Sequence, residues 1–258
     1  MSKTTRFGKP AGWRVVFTAV LAFAAAAPAV ASDALQLMVD GLRGPVVTDD
    51  PAPRLTWAPV VSLPWVKSWR VTVERLDATA PALMWIVPAT DGPMAVLKDL
   101  PLPSRAEYRW QVEAIANHGK TPAPVRSTGR FEAGLKTPAD WRAQWISLDP
   151  KVRERSAPLF RKPFILEKPV KRARLYVSGL GWHEAWLNGQ RLGDGVLEPA
   201  QTDYEARVLY AAHDVTEHVR AGDNVLGVWV GDGWYNQDRV WGQKGLSYGQ
   251  PCMIAQLE

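Results

Sequence analysis

From Leu35 onward, apolar residues recur at every second position in short runs, and Pro, Gly, Asn and Asp fill the gaps between the runs. A period of two marks β-strands with one dry face and one wet face. In the first half the best strands are residues 55–57, 69–76, 83–87, 108–115 and 129–133. Trp69, Val71 and Val73 share one face of WRVTVERL, while Arg70, Thr72 and Glu74 share the other. Tyr108, Trp110 and Val112 alternate with Arg109, Gln111 and Glu113 in the same way. Pro51, Pro53, Pro59, Pro64, Pro101 and Pro103 fall between the runs, where a residue without an N–H is tolerated. The tryptophans here sit at strand positions, which predicts a core role rather than sugar stacking. His118, in a Gly-flanked loop, reads as a surface histidine.

Turn residues cluster at Lys136–Asp140 and set the expected boundary between two domains, residues 35–134 and 135–258. Just beyond it, Trp141 and Trp145 are spaced either for one face of a short helix or for an extended segment packed at the junction. Strands are then expected at 158–166 and 172–179, the second placing Ala173, Leu175 and Val177 on one face. Asn188-Gly189 between Trp186-Leu187 and Gln190–Leu192 is the favoured pair for a two-residue hairpin turn. Gly222-Asp223-Asn224 leads into VLGVWV, which reads as a strand buried on both sides. The resulting fold class is all-β, two sandwiches in series with no long amphipathic helix.

Composition adds little to that picture until the charge is located. The formal net charge is +5, but residues 1–31 hold Lys3, Arg6, Lys9 and Arg14 and no acid. Without those four the basic and acidic counts differ by one (27 against 26), so no nucleic-acid partner is expected. The same 31 residues have the layout of a secretory signal peptide: a basic start, an apolar run from Val15 to Ala27, and Ala29 and Ala31 before Ser32. The apolar run is shorter than the roughly 20 residues of a spanning helix. A periplasmic or secreted location, with no membrane attachment after cleavage, is the expectation. A single cysteine, Cys252, rules out an intramolecular disulfide and reads as a small hydrophobe in CMIAQL.

The candidate chemistry gathers in GDGWYNQDRVWG. A sugar site needs an aromatic face for the C–H side of a pyranose and planar polar groups for its hydroxyls. Trp234, Tyr235 and Trp241 with Asn236 and Asp238 supply both types and are the candidate substrate-binding residues, beside Asp232 and Arg239. Oxygen ligands for Ca²⁺ would come from Asp232, Asn236 and Asp238, with Asn188 and Asp203 as further donors, although no contiguous calcium-loop pattern is present. His183 has no metal-site spacing and reads as a strand-face residue. Glu184, Glu198 and Asp203 are isolated acids, for which a solvated or structural role is the default.

These motifs also carry a resemblance. GLGWHEAWLNGQRLGDGVLEPAQTDYEARVLY, with Gly-Asp-Asn-Val-Leu and Gly-Asp-Gly-Trp-Tyr after it, resembles the N-terminal jelly-roll (galactose-binding-like) module of bacterial α-L-rhamnosidases. YRWQVEA, NHGKTPAP and FEAGL resemble the fibronectin type III-like domain that precedes it in that family, and LKTPADWRAQWI resembles the connecting segment. The resemblance implies an inverting glycoside hydrolase that removes terminal α-L-rhamnose with two carboxylates. In that family the pair belongs to an (α/α)6 barrel downstream of the β modules, so no catalytic residue is expected here. The chain reads as an inactive N-terminal portion whose last strand, CMIAQLE, looks cut short. Its implied partners are a rhamnose-containing glycan or glycoside and the barrel of the same polypeptide. The alternative is a free-standing secreted rhamnose-binding lectin.

Overall fold

In a computed structural model, the described residues are 35–258 except 45, 61, 77–83, 117–124, 150, 152–156, 238, 241 and 242. The leader, His118, Asp238 and Trp241 therefore lie outside them. The chain divides into two compact units, the first reaching Leu102 and resuming over Ala106–Glu132, the second comprising Pro103–Arg105 and Ala133–Glu258.

The first unit is built from β1 (Leu35–Val39), β2 (Val46–Thr48), β3 (Arg54–Pro59), β4 (Val66–Arg75), β5 (Met84–Thr90), β6 (Met94–Val96), β7 (Glu107–Ala116) and β8 (Arg126–Ala133). They form sheets of order β1-β3-β6 and β2-β8-β7-β4-β5. The alternation read in the sequence is the alternation of burial. Trp69, Val71 and Val73 on β4, and Tyr108, Trp110 and Val112 on β7, are all buried. Trp57 meets Trp69 edge-on at 5.6 Å, and Tyr108 stacks on Phe131 at 4.9 Å. Aromatic pairs of this kind add to the area they bury. On the wet face, Glu113 of β7 accepts from Arg70 of β4 and Arg126 of β8.

The second unit holds a 3₁₀ turn at Pro138–Asp140 and the strands β9 (Ile146–Ser147), β10 (Leu159–Leu166), β11 (Arg174–Leu180), β12 (Trp182–Leu187), β13 (Gln190–Arg191), β14 (Ala211–Asp214), β15 (Gly222–Gly231), β16 (Arg239–Val240), β17 (Gln243–Lys244) and β18 (Cys252–Leu257). Two four-stranded sheets result, β10-β15-β12-β13 and β14-β11-β18-β9, and β16 pairs with β17. Leu175, Val177, Ala185, Leu187, Val228 and Val230 close the core between them. β18 pairs with β11 from Leu175↔Leu257 to Leu180↔Cys252. Cys252 is half-buried and its thiol is pushed up by burial, as a packed apolar residue would be.

One open choice is decided here, and one expectation changes. Trp141 and Trp145 do not share a helical face. The turn ends at Trp141, which packs edge-on against Tyr210 at 5.5 Å and Tyr176 at 6.4 Å, while Trp145 is exposed. Gln256 holds this segment by accepting from the backbone N–H of Arg142 and Ala143. Nor is VLGVWV buried on both sides: Val228 and Val230 face the core, but Trp229 is 49% exposed on the open face. The stretch is continuous in hydrophobicity without being covered twice.

The Asn188-Gly189 turn is as expected, with φ of 53° and 84°. Its asparagine has a second duty. Asn188 Nδ2 donates to Asn224 Oδ1 and to the His218 carbonyl, and its Oδ1 accepts from the Val225 N–H. Asn224, buried, returns the favour by donating to the Arg220 and Gly222 carbonyls. Asn224→Ala is expected to cost about 2 kcal/mol, since it removes a buried amide that bonds the Arg220 N–H, the Arg220 and Gly222 carbonyls and Asn188 Nδ2. Urea denaturation of the second unit measures it, and a loss below about 0.5 kcal/mol would show that the network is dispensable.

Candidate functional site: the aromatic end of the second sandwich

Strand register places the candidate residues. In the antiparallel pairs Trp182↔Gly231, Glu184↔Trp229 and Trp186↔Gly227, opposed residues point to the same side. The same side of β10 carries Leu159 opposite Trp229 and Ile165 opposite Asp223. The outer face of this sheet thus presents Trp182, Trp186 and Trp229 with Leu159 and Ile165, the last 70% exposed. Glu184 and Arg191, 3.6 Å apart, share it with Arg161 and Asp223. Its apolar patches are exposed between these charges.

At one end of that face lies the 231–236 loop. Gly231 and Asp232 bring the chain so close to Gly181 that a Cβ there would lie 2.1 Å from the Asp232 carbonyl oxygen. Gly233, at φ +53°, packs back on Gly181 and Trp182. These contacts aim Trp234 outward, 47% exposed, with its ring edge-on to Trp182 at 6.3 Å. The pair offers two indole faces at right angles. Trp182 is a residue of this aromatic end that motif reading did not single out, although the alternation in WHEAWL was the signal for it.

The other candidates separate. Tyr235 turns into a cluster, stacked on Tyr248 at 5.7 Å and edge-on to Tyr204 at 5.3 Å, and burial pushes its hydroxyl up. It holds the loop, together with the Tyr248 N–H to Tyr235 carbonyl bond. Asn236 Nδ2 donates to Asp232 Oδ1 at 2.8 Å, and its Oδ1 accepts from Ser247 at 2.7 Å. Asp232, Asn236 and Ser247 are therefore brought together on the loop that carries Trp234, while Tyr235 packs into the tyrosine cluster.

That geometry does not fit calcium among the described residues. Ca²⁺ takes six to eight oxygens, whereas Asp232 and Asn236 bring one carboxylate, its Oδ1 held by the Asn236 amide, and one amide oxygen that accepts from Ser247. No group of three or more His, Cys, Asp or Glu side chains able to hold a metal ion occurs among the described residues. Asn188, engaged by the turn, is not a free donor either.

His183, Glu198 and His213 interact with one another or with Arg191 away from the Trp182–Trp234 pair. His183 faces the core on β12, 6% exposed, and neither ring nitrogen has a hydrogen-bond partner among the described residues. Its pKa falls to about 4, first through burial and then through the charge of His213. Glu198 is pushed up, chiefly by burial, against the pull of Arg191. Asp203 spends its carboxylate on the Glu205 N–H. None of these acids forms an opposed pair across an open cleft.

Fold and site together define a β-sandwich accessory module with an exposed aromatic end. The comparisons specify the kind. Residues 168–258 match the family described as "Alpha-L-rhamnosidase N-terminal domain", and residues 34–137 match "Rha78A-like, N-terminal immunoglobulin domain". An α-L-rhamnosidase of Formosa agariphila is 29% identical over 184 residues, covering 61% of this chain and 19% of that relative. One from Streptomyces avermitilis is 46% identical over 104 residues, covering 38% and 9%. The crystal structure of native α-L-rhamnosidase from Aspergillus terreus superposes with a TM-score of 0.72 at 29% identity, over 87% of this chain and 27% of that one. The chain carries the N-terminal modules of the α-L-rhamnosidase family and spans about a fifth of the length of the Formosa relative. Immunoglobulin and fibronectin domains share the sandwich architecture, so the first unit agrees with its expected class. Nothing in these comparisons favours a free-standing lectin.

Proposed function

We propose that this chain serves an exported α-L-rhamnosidase as its non-catalytic N-terminal portion, and that the Trp182–Trp234 end holds a terminal rhamnosyl group. The observation that carries this reading is the pair of edge-on indoles, one of them half exposed, beside Asp232, Asn236 and Ser247. The C–H face and methyl group of a 6-deoxy sugar would stack on Trp234, and the polar side chains would take ring hydroxyls. The rest of the outer face, from Trp229 to Ile165, is left for the downstream polypeptide that contributes the acid and base. The leader pattern of residues 1–31 supports export.

Calorimetry with L-rhamnose tests the site. Trp234→Ala is expected to weaken binding at least tenfold, because a buried aromatic contact of this kind carries most of such an interface. Unchanged affinity removes Trp234 from the site. The chain alone is expected to release no rhamnose from an aryl rhamnoside, and steady turnover overturns the non-catalytic assignment.

A further inference from the structure

The first unit contains a cavity that the rhamnosidase reading does not use. About 430 Å³ in volume, it opens at the seam between β1 and β8 and is lined by Leu35, Leu37 and Val39 on one side and by Trp110, Thr128 and Gly129 on the other. That volume lies within the usual range of small-molecule pockets. Its lining joins aliphatic side chains to the exposed residues Thr128 and Arg130, and no carboxylate is among the described lining residues.

One polar group stands out. Trp110 is 1% exposed, yet its Nε1–H has no hydrogen-bond partner among the described residues. Nearly every buried donor in a folded protein is satisfied, so such a group asks for an explanation. Gly129 gives the geometry: a Cβ there would lie 2.6 Å from Trp110 Nε1 and 3.2 Å from Leu37 Cδ1. Glycine at this position leaves the indole N–H edge next to the cavity, with the half-buried Leu37 beside it. Any other residue would fill that gap. A glycine inside a strand weakens the strand, which suits a place that something else must approach.

We infer that this cavity is a binding site for a small neutral ligand with a mainly apolar body and one carbonyl or phenolic oxygen, which accepts from Trp110 Nε1–H after Leu37 turns aside. Thr128 and Arg130 are exposed residues, so among the described lining residues the Trp110 Nε1–H is the buried donor left for the ligand's oxygen, and L-rhamnose serves as the polar control. The site is in the other unit from the Trp182–Trp234 end, so its fate is independent of rhamnose binding.

The test uses the whole chain, ¹⁵N-labelled, and acetophenone as the probe. The indole N–H resonance of Trp110 is the one absent from Trp110→Phe. It is expected to shift saturably with acetophenone and to stay in place with L-rhamnose. Ethylbenzene, the same body without an acceptor, is expected to bind about tenfold more weakly, the usual scale of one hydrogen bond. By calorimetry, Trp110→Phe is expected to lose a similar factor for acetophenone. Gly129→Ala is expected to abolish the binding. Should that variant fail to fold, Leu37→Phe fills the cavity from a half-buried position and is expected to do the same. Absence of a saturable shift overturns the site, and so does undiminished binding in Leu37→Phe. A shift with L-rhamnose and none with acetophenone overturns the ligand class.

Discussion

Alanine at Gly181 is expected to cost the second unit at least about 3 kcal/mol, the upper end for an overpacked interior. Gly181 is the single residue between β11 and β12, and it carries the chain from one sheet of the sandwich to the other. The added methyl would sit 2.1 Å from the Asp232 carbonyl oxygen, 2.4 Å from its carbon and 2.6 Å from the Gly231 oxygen. All three are backbone atoms, so no side chain can swing away to make room. Relief requires moving the end of β15, whose pairing with β12 at Trp182↔Gly231 is adjacent. The same shift would turn Trp234 off Trp182. Two readouts should therefore change together: the urea midpoint of the second unit falls, and L-rhamnose affinity is lost even in buffer where the protein stays folded. The first unit, which lacks Gly181, provides the internal reference. Stability within about 0.5 kcal/mol of the parent would show that the loop can retreat freely, and the loop would then be too loose to be a preformed site.

How far the sequence foretold this follows from what sets each feature. Alternation on β4 and β7 is a local property, and Trp69, Val71, Tyr108 and Trp110 are buried as their spacing required. The Asn188-Gly189 turn was equally legible, since positive φ at two successive residues selects that pair. Trp229 was misread because it sits in an unbroken apolar run. Whether such a run is covered once or twice depends on what lies across the sheet, which periodicity does not report. His183 was read as a strand-face residue, and it alternates with Trp182 and Glu184 onto the core face of β12. What the alternation did not report is Gly179 on β11, where a Cβ would come within 2.7 Å of the His183 Cβ. Trp182 was missed because, although its alternation with His183 and Ala185 was plain, its partner Trp234 lies 52 residues away. Asn236 was a binding candidate by residue type, and the sequence did not report that its amide also ties Asp232 to Ser247, 11 residues further on.

The buried histidine leads to the other large effect, a loss of stability in mild acid. Folded His183 titrates near 4 and the unfolded residue near 6.5. Between those values the unfolded chain takes up a proton that the folded chain refuses, so stability is complete above pH 6.5 and falls as the pH drops towards 4. A separation of this size corresponds to about 3 kcal/mol. His213, also lowered by burial, acts in the same direction. Glu198 opposes them, because a raised carboxyl binds its proton first in the folded state. Asp214, held down to about 2 against the cost of its own burial by bonds from Thr216 and Arg174, contributes only below the histidine window. The diagnostic is therefore a difference between two proteins. His183→Leu replaces an unpartnered imidazole with an apolar side chain, so it is expected to match or exceed the parent at pH 7.5. From pH 6.5 to 4 its stability should fall less steeply, by close to one proton, in urea titrations at matched ionic strength. Parallel curves for the two proteins across that range would mean that water reaches the ring and that His183 is protonated in the folded protein as readily as in the unfolded one.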